Sequence, residues 1–409
     1  MILNIPDTIS SIVPINIAVK LKPKAEKLIR TALHPWVFDE SIIKLSKKGK
    51  AGDLAIIFDK RDDKFLACGL YDPNSPIRIK LLQFLKSARI DASWFDAKIS
   101  MAYDIRKPLL ESATNAYRLL FGENDGLPGV ITDVYDDVAI VKLYSEIWFP
   151  YLQQLLSAII SKIDCKTLVI RLSRNIKNEA LRLGITDGHI AYGQLENEDV
   201  IVIEHGVRFK VNVIKGHKTG FFLDHRHNRV QVGKMAKSKT VLDVFSYAGG
   251  FSVHALAGGA SSVTSLDISP QAIDLAIQNG QLNKVKGKHE AICEDAFIAL
   301  SKLIDDKRKF DIVIVDPPAF AKRAKEIEKA KDSYSRLARL GSQLIHKSGT
   351  LLLASCSSRV TAEDFFKLNA MALRGTSLRL KKKTFHDIDH PIGFREGAYL
   401  KAGYYSANL

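Results

Sequence analysis

Cysteine is scarce. The 409 residues hold four, Cys68, Cys165, Cys293 and Cys356, too far apart for any C-x-x-C pair. That spacing excludes a zinc site of ordinary type, and no metal is expected. A chain this long builds its core without disulfide staples, so reduced thiols in a cytoplasmic protein are expected. No apolar run approaches the roughly 20 residues that span a bilayer, so no membrane partner is expected. The opening MILNIPDTISSIVPINIAVKLKPK lacks the basic start, apolar centre and small-residue cleavage site of a signal peptide. Two nucleotide fingerprints are also missing, G-x-G-x-x-G and G-x-x-x-x-G-K-[ST]. Without them no pyrophosphate cradle is written, which disfavours an NAD oxidoreductase or an ATP-dependent enzyme.

Positive charge is in excess. Lys and Arg number 60 against 45 Asp and Glu, a formal net charge of +15. A polyanionic partner is the natural reading, nucleic acid ahead of membrane.

Three regions separate by pattern. Residues 15–92 are β-rich, with the runs INIAVKL, DLAIIFD, KFLACGLY and IRIKLL between turn residues. Basic residues are interleaved there (Lys20, Lys22, Lys24, Lys27, Arg30, Lys47, Lys48 and Lys50), as phosphate contact requires. Residues 93–204 mix helix and strand. GVITDVYDDVAIVKLY reads as a hairpin, and YLQQLLSAIISKI has the apolar spacing of an amphipathic helix. Residues 205–409 alternate short apolar runs with helical stretches, which predicts a parallel sheet covered on both faces. Two tail strands, in SLRLKKKTF and GAYLKAGYYS, are expected to form an antiparallel edge hairpin.

Ligands of such sheets sit at the carboxyl ends of the strands, and acids fall there in order. Asp243 is at the first tip, Asp267 at the second, Asp295 at the third and Asp316 at the fourth. A carboxylate ending the second strand can accept both hydroxyls of a ribose. The turn SYAGG allows close backbone approach. A ribose site without a phosphate loop points to S-adenosylmethionine. At the fourth tip, DPP presents Asp316 on a stiff turn beside Phe320, where a planar base can lie.

Cys356 closes the fifth strand, in LLLASCSS. Free cysteine usually packs in a core, and that reading is kept for Cys68, Cys165 and Cys293. Cys356 shares its sheet edge with the cofactor acids. A helix is expected to open at Thr361, and Arg359 is near, so a lowered thiol pKa and addition to a pyrimidine ring are expected.

The pieces HPWVF (34–38), AYRLLFGENDGLPGVITDVY (116–135), GHKTGFFLDHRHNR (216–229), VLDVFSYAGGFSVHAL (241–256), DPPAF (316–320), SCS (355–357) and HPIGFREGAYLK (390–401) cover nearly the whole chain. Together they resemble the ribosomal RNA large subunit methyltransferase I family, S-adenosylmethionine-dependent 23S rRNA cytosine-C5 methyltransferases. The resemblance implies an α/β fold in three parts: a PUA RNA-binding domain (15–92), a central α+β domain (93–204) and a class I methyltransferase domain with a Rossmann-like sheet (205–409). It implies RNA, as 23S rRNA or a large-subunit precursor, as partner, and it admits a homodimer.

The resemblance also implies roles. Cys356 attacks C6 of the target cytosine, and Asp316 steadies the base, which is splayed from its stack. The cofactor is held by Asp243, Phe245, Ser246 and Gly249, by Asp267 and Ile268, by Asp295 and Ala296, and by Phe222, Asp224 and Arg226. Lys218, Pro317, Pro318 and Phe320 face the substrate. Lys218 and Arg226 are expected to meet phosphate or carboxylate, with Asp224 orienting them. The sequence departs from the family at Leu33, where the family carries Gly. The rival readings are a guanine or exocyclic-amine methyltransferase in which Cys356 is a bystander, and an RNA-binding protein with an inactive catalytic domain.

Overall fold

A computed structural model describes residues 2–321 and 323–407. Its contacts divide the chain into two units. One comprises residues 1–202, 211–221 and 388–397, the other residues 203–210, 222–387 and 398–409.

The first unit holds two sheets. A short helix α1 (Asp7–Ser10) precedes a six-stranded sheet of β1 (Asn16–Leu21), β2 (Trp36–Phe38), β3 (Ile42–Leu45), β4 (Leu54–Phe58), β5 (Phe65–Tyr71) and β6 (Ile77–Phe84), ordered β2-β6-β5-β4-β1-β3. In β1 strict alternation sends Ile17, Val19 and Leu21 inward and leaves the residues between them outside. Helix α2 (Pro23–Ala32) follows β1 and stops at Leu33, whose φ of 48° and ψ of 37° are left-handed. Of the basic residues singled out above in this region, the seven lysines are exposed, and Arg30 is drawn to Asp59 at 2.9 Å.

After α3 (Ala92–Leu110) comes a five-stranded sheet of β7 (Ala116–Phe121), β8 (Val130–Tyr135), β9 (Val138–Leu143), β10 (Thr167–Leu172) and β11 (His189–Tyr192), ordered β11-β10-β9-β8-β7. Helix α4 (Leu152–Lys162) buries its apolar stripe in the same core, and α5 (Lys177–Arg182) follows β10. The expected β8–β9 hairpin is present, turning at Asp136 with φ 58°. The quoted motif 116–135 has a polar purpose. Arg118 grips Asp133 with two bonds of 2.8 and 2.9 Å, and Arg106 grips Asp125 at 2.8 and 2.7 Å. Both arginines also meet the segment 388–397. Arg118 N donates to Asp389 Oδ2 at 3.0 Å, and Arg106 donates to the Asp389 carbonyl at 3.1 Å.

The hairpin of β12 (Asp199–Glu204) and β13 (Val207–Asn212) and helix α6 (Arg226–Met235) lead to a seven-stranded sheet. Its parallel part runs β14 (Thr240–Val244), α7 (Gly250–Ala257), β15 (Ser262–Asp267), α8 (Pro270–Gln281), β16 (Lys288–Cys293), α9 (Ala296–Asp305), β17 (Phe310–Val315), α10 (Ile327–Gln343) and β18 (Ile345–Ser355). Then come α11 (Ala362–Ala372), β19 (Leu378–Thr384) and β20 (Lys401–Ala407). The order is β16-β15-β14-β17-β18-β20-β19. Alternate residues of each central strand enter opposite cores: Leu351 and Leu353 join one, Leu352 and Ala354 the other. That explains the unbroken apolar run before Cys356. The tail strands are antiparallel, as expected. They are not a tight hairpin: β20 inserts between β18 and β19, and residues 385–400 connect the pair. Strand order reverses between β15 and β17 on either side of β14, the crevice where open α/β sheets take their ligands.

Among the described residues no helix is long and apolar enough to cross a membrane, and no cluster of potential metal ligands occurs.

Candidate active site

The tips of β14 and β15 form one half of the site. The turn after β14 is tightly bent: Phe245, Tyr247 and Gly249 have φ of 66°, 46° and 75°. Two of the three are not glycine, and each such residue stores strain of order 1–3 kcal/mol. The turn is held down by Asp267. Its Oδ2 accepts from Tyr247 N at 2.9 Å and its Oδ1 from Ser269 N at 3.0 Å. A carboxylate has about four acceptor positions, so two remain for a diol. Ile268, beside it, is 69% exposed, an apolar surface at the rim. At Gly249 a Cβ would stand 2.9 Å from Ala276 Cβ, so glycine also lets α8 approach.

Asp243 is buried. Its Oδ2 accepts from Ser252 N at 3.0 Å and Ser252 Oγ at 2.7 Å, while its Oδ1 has no partner. Burial pushes the carboxyl up to about 7 against the pull of the Ser252 bonds. Ser246 Oγ is likewise buried and unpartnered. Two orphaned polar atoms beside a glycine-bearing turn fit a ligand that carries an ammonium group and hydroxyls, as S-adenosylmethionine does. Phe222 meets Tyr247 edge-to-face at 5.2 Å. Asp295 is the N-cap of α9, its Oδ1 taking the amides of Phe297 and Ile298 at 2.9 and 3.2 Å. Ala296 is buried in the first turn of that helix.

The tips of β17 and β18 form the other half. Asp316 leaves β17 through buried Pro317 and exposed Pro318. Phe320 sets its ring edge-to-face on Tyr334 at 5.2 Å. Cys356 follows β18 directly. It is half-buried, with Sγ 4.0 Å from the Pro317 carbonyl. Ser355 Oγ donates to Tyr334 OH at 2.9 Å, tying the strand end to α10. Thr361 caps α11 by accepting from Asp364 N at 3.1 Å.

Several expectations need correction. Arg226 is fully buried: Nε lies 3.6 Å from Glu204 Oε2 and Nη1 is 3.5 Å from Asp387 Oδ2. Glu204 also takes Arg229 through two bonds of 2.7 and 2.6 Å and faces His254 Nε2 at 2.9 Å. Burial opposes its charge, but Arg229 and His254 outweigh burial and hold it well below the usual carboxylate range. Arg226 is therefore part of a buried ion cluster, not an open anion contact. Asp224 Oδ2 accepts from Tyr399 OH at 2.9 Å. Lys218 belongs to the first unit, exposed, its carbonyl taking Lys142 Nζ at 3.1 Å. Arg359 is exposed. Cys68 and Cys165 are buried as expected, but Cys293, at the end of edge strand β16, is exposed.

The structure adds residues that pattern reading missed. His225 is buried with Nε2 3.3 Å from Asp316 Oδ1. Asn228 Nδ2 is 2.9 Å from His225 Nδ1, and Asn228 Oδ1 accepts from Thr384 and Tyr404 hydroxyls at 2.8 and 2.9 Å. Lys401 lies beneath the Cys356 turn. His225 and Lys401 both lie inside the quoted motifs, but no local pattern sets either apart from its neighbours.

A mostly parallel open sheet with an acid at its second tip and a strained glycine-bearing turn at its first fits an S-adenosylmethionine-dependent methyltransferase. A family model described as S-adenosylmethionine-dependent methyltransferase matches residues 131–400, and a PUA-like domain model matches residues 19–84. The chain belongs to the ribosomal RNA large subunit methyltransferase I family. A ribosomal RNA large subunit methyltransferase of Deinococcus radiodurans is 40% identical over 94% of this chain and 96% of its own. The ribosomal RNA large subunit methyltransferase I of Alteromonas mediterranea is 34% identical over 94% and 97%. A solved structure in complex with SAH shares the fold at a TM-score of 0.80, with 22% identity over 96% of this chain and 100% of that one. The cofactor is S-adenosylmethionine.

Proposed function

We propose that this protein methylates C5 of a cytidine in large-subunit ribosomal RNA, with Cys356 as nucleophile and Asp316 holding the base. The relatives' names supply the RNA class, and the exposed lysines of residues 20–50 suit a phosphate backbone. The observation that carries the chemistry is the meeting of two strand tips. The Cys356 thiol stands 4.0 Å from the carbonyl of the residue that follows Asp316.

When bound, S-adenosylmethionine supplies an electrophilic methyl group. Cys356 Sγ, as thiolate, bonds to C6 of the cytosine, and this makes C5 the nucleophile that accepts that group. Asp316, an acceptor beside the ring, takes the amino edge of cytosine. Loss of the C5 proton to a base and departure of Sγ restore the aromatic ring and the free thiolate. Asp243, Phe245, Ser246, Gly249, Asp267 and Ile268 would hold the cofactor, with Phe222 at the rim. Pro317, Pro318 and Phe320 shape the pocket for the base. Such a role places the protein in the cytoplasm, with the ribosome.

The test is nucleoside mass spectrometry after incubating the protein and methyl-labelled S-adenosylmethionine with unmodified 23S rRNA. Labelled 5-methylcytidine that disappears with Cys356→Ala supports the reading. Labelled methylguanosine or methyladenosine, or full activity of Cys356→Ala, overturns it.

A further inference from the structure

Lys401 opens β20 and pairs in register with Ser355, the residue before Cys356. It is 2% exposed. Its Nζ donates to three backbone carbonyls: Ser357, Val360 at 2.6 Å and Tyr399 at 3.0 Å. Three donors are what an ammonium has; a neutral amine has two. The cage is therefore built for the charged form. Its three acceptors are neutral, and a buried cation without a counter-charge is costly. Burial pulls the amine down to about 8, and the neighbouring Cys356 pushes the other way, so the charge persists at neutral pH. Two of the caging carbonyls, those of Ser357 and Val360, belong to the turn that presents Cys356.

We propose that the Lys401 ammonium is the counter-charge of the Cys356 thiolate, holding the turn in place and keeping its sulfur in the nucleophilic form. Lys401 is a positioning residue in this scheme, and the scheme's use in catalysis rests on the reading of Cys356 as nucleophile. It completes a local charge balance. Tyr334, from α10, is pushed up to about 12 by burial and stays neutral. Asp316, beyond β17, is an acid and supplies no counter-charge to a thiolate. Arg359, on the same turn, is exposed and screened by solvent. Lys401 alone of these is a buried cation. Ionisation of the thiol releases its proton to solvent, and no other bond changes.

The experiment measures the alkylation rate of each cysteine by iodoacetamide from pH 5.5 to 10, resolved by peptide mass spectrometry in the full-length protein. Exposed Cys293 is the internal reference. In the wild type, Cys356 is expected to titrate at least one pH unit below Cys293. Lys401→Met is expected to slow Cys356 alkylation at pH 7 by tenfold or more, and Lys401→Arg to restore most of it. S-adenosylmethionine binding by calorimetry checks that each variant is folded. If Lys401→Met fails to fold, the wild-type curve and Lys401→Arg still decide. A Cys356 that titrates with or above Cys293, or that keeps its rate in folded Lys401→Met, overturns the proposal. Failure of the catalytic reading is distinct: it shows in the methylated product and in Cys356→Ala, neither of which enters the alkylation curve.

Discussion

His225 Nε2 lies 3.3 Å from Asp316 Oδ1, and the other ring nitrogen faces the Asn228 amide. Asn228 Oδ1 accepts from two hydroxyls, so its NH2 points at His225 Nδ1. That makes Nδ1 an acceptor and puts the proton on Nε2, toward Asp316. Burial lowers the imidazole's basicity, but Asp316 and Asp224 outweigh burial and raise it overall. In either charge state Nε2 carries a hydrogen and faces the Asp316 carboxylate.

His225→Ala is therefore expected to lower kcat tenfold to a hundredfold with little change in cofactor affinity, and His225→Gln, which keeps a donor, to recover part of it. The measurement is kcat and KM on unmodified 23S rRNA beside a cofactor titration. Equal losses in both variants would assign His225 a packing role instead.

Asp243 offers a pH signature. Burial pushes its carboxyl up to about 7, against about 3.8 for an aspartate in water. A raised acid binds a proton in the fold that the unfolded chain has already released. Its contribution to stability is complete below pH ~4 and is lost as pH climbs through ~7, by up to about 4 kcal/mol. Asp243→Asn lacks this loss. The melting temperature of the cofactor-free variant should thus gain on wild type from pH 5 to 8, and a constant difference would refute the assignment.

Leu33 is an exposed residue with left-handed backbone at the C-cap of α2. A Cβ is unfavourable there by about 1–2 kcal/mol, partly offset by the extra unfolded-state freedom of glycine. Leu33→Gly is expected to stabilise by about 0.5–1 kcal/mol in urea unfolding, with catalysis unchanged.

Glu204 is the shared anion of Arg226, Arg229 and His254. Glu204→Leu leaves two buried guanidiniums short of charge and should destabilise by about 3–5 kcal/mol. Thermal unfolding measures it; a loss below 1 kcal/mol would mean that the cluster relaxes to water.

The tips were readable because strand and helix periods differ, so a run such as LLLAS ends where its polar residues begin. Asp316, Cys356 and Asp267 followed from that edge. Asp295 followed too, but spacing alone cannot separate a ligand acid from a helix cap, and here the carboxylate caps α9. Arg226 misled for a related reason: its partner Glu204 lies on a strand 22 residues upstream, and only the fold makes them neighbours. Lys401 reads in the sequence as an ordinary lysine opening a strand. It becomes buried because β20 enters between β18 and β19, an order that no local pattern encodes.

Residues 388–397 return to the first unit, where Asp389 and His390 sit against Arg118 and Arg106. During synthesis these ten residues emerge after nearly all the rest of the chain. The arginines of the first unit must therefore wait, with an incomplete set of partners, until the second unit's sheet has been almost entirely made. An early nascent chain has every strand of β1 to β11 yet cannot finish its polar core. The polar contacts of the first half of the polypeptide are thus completed by residues from its last twentieth.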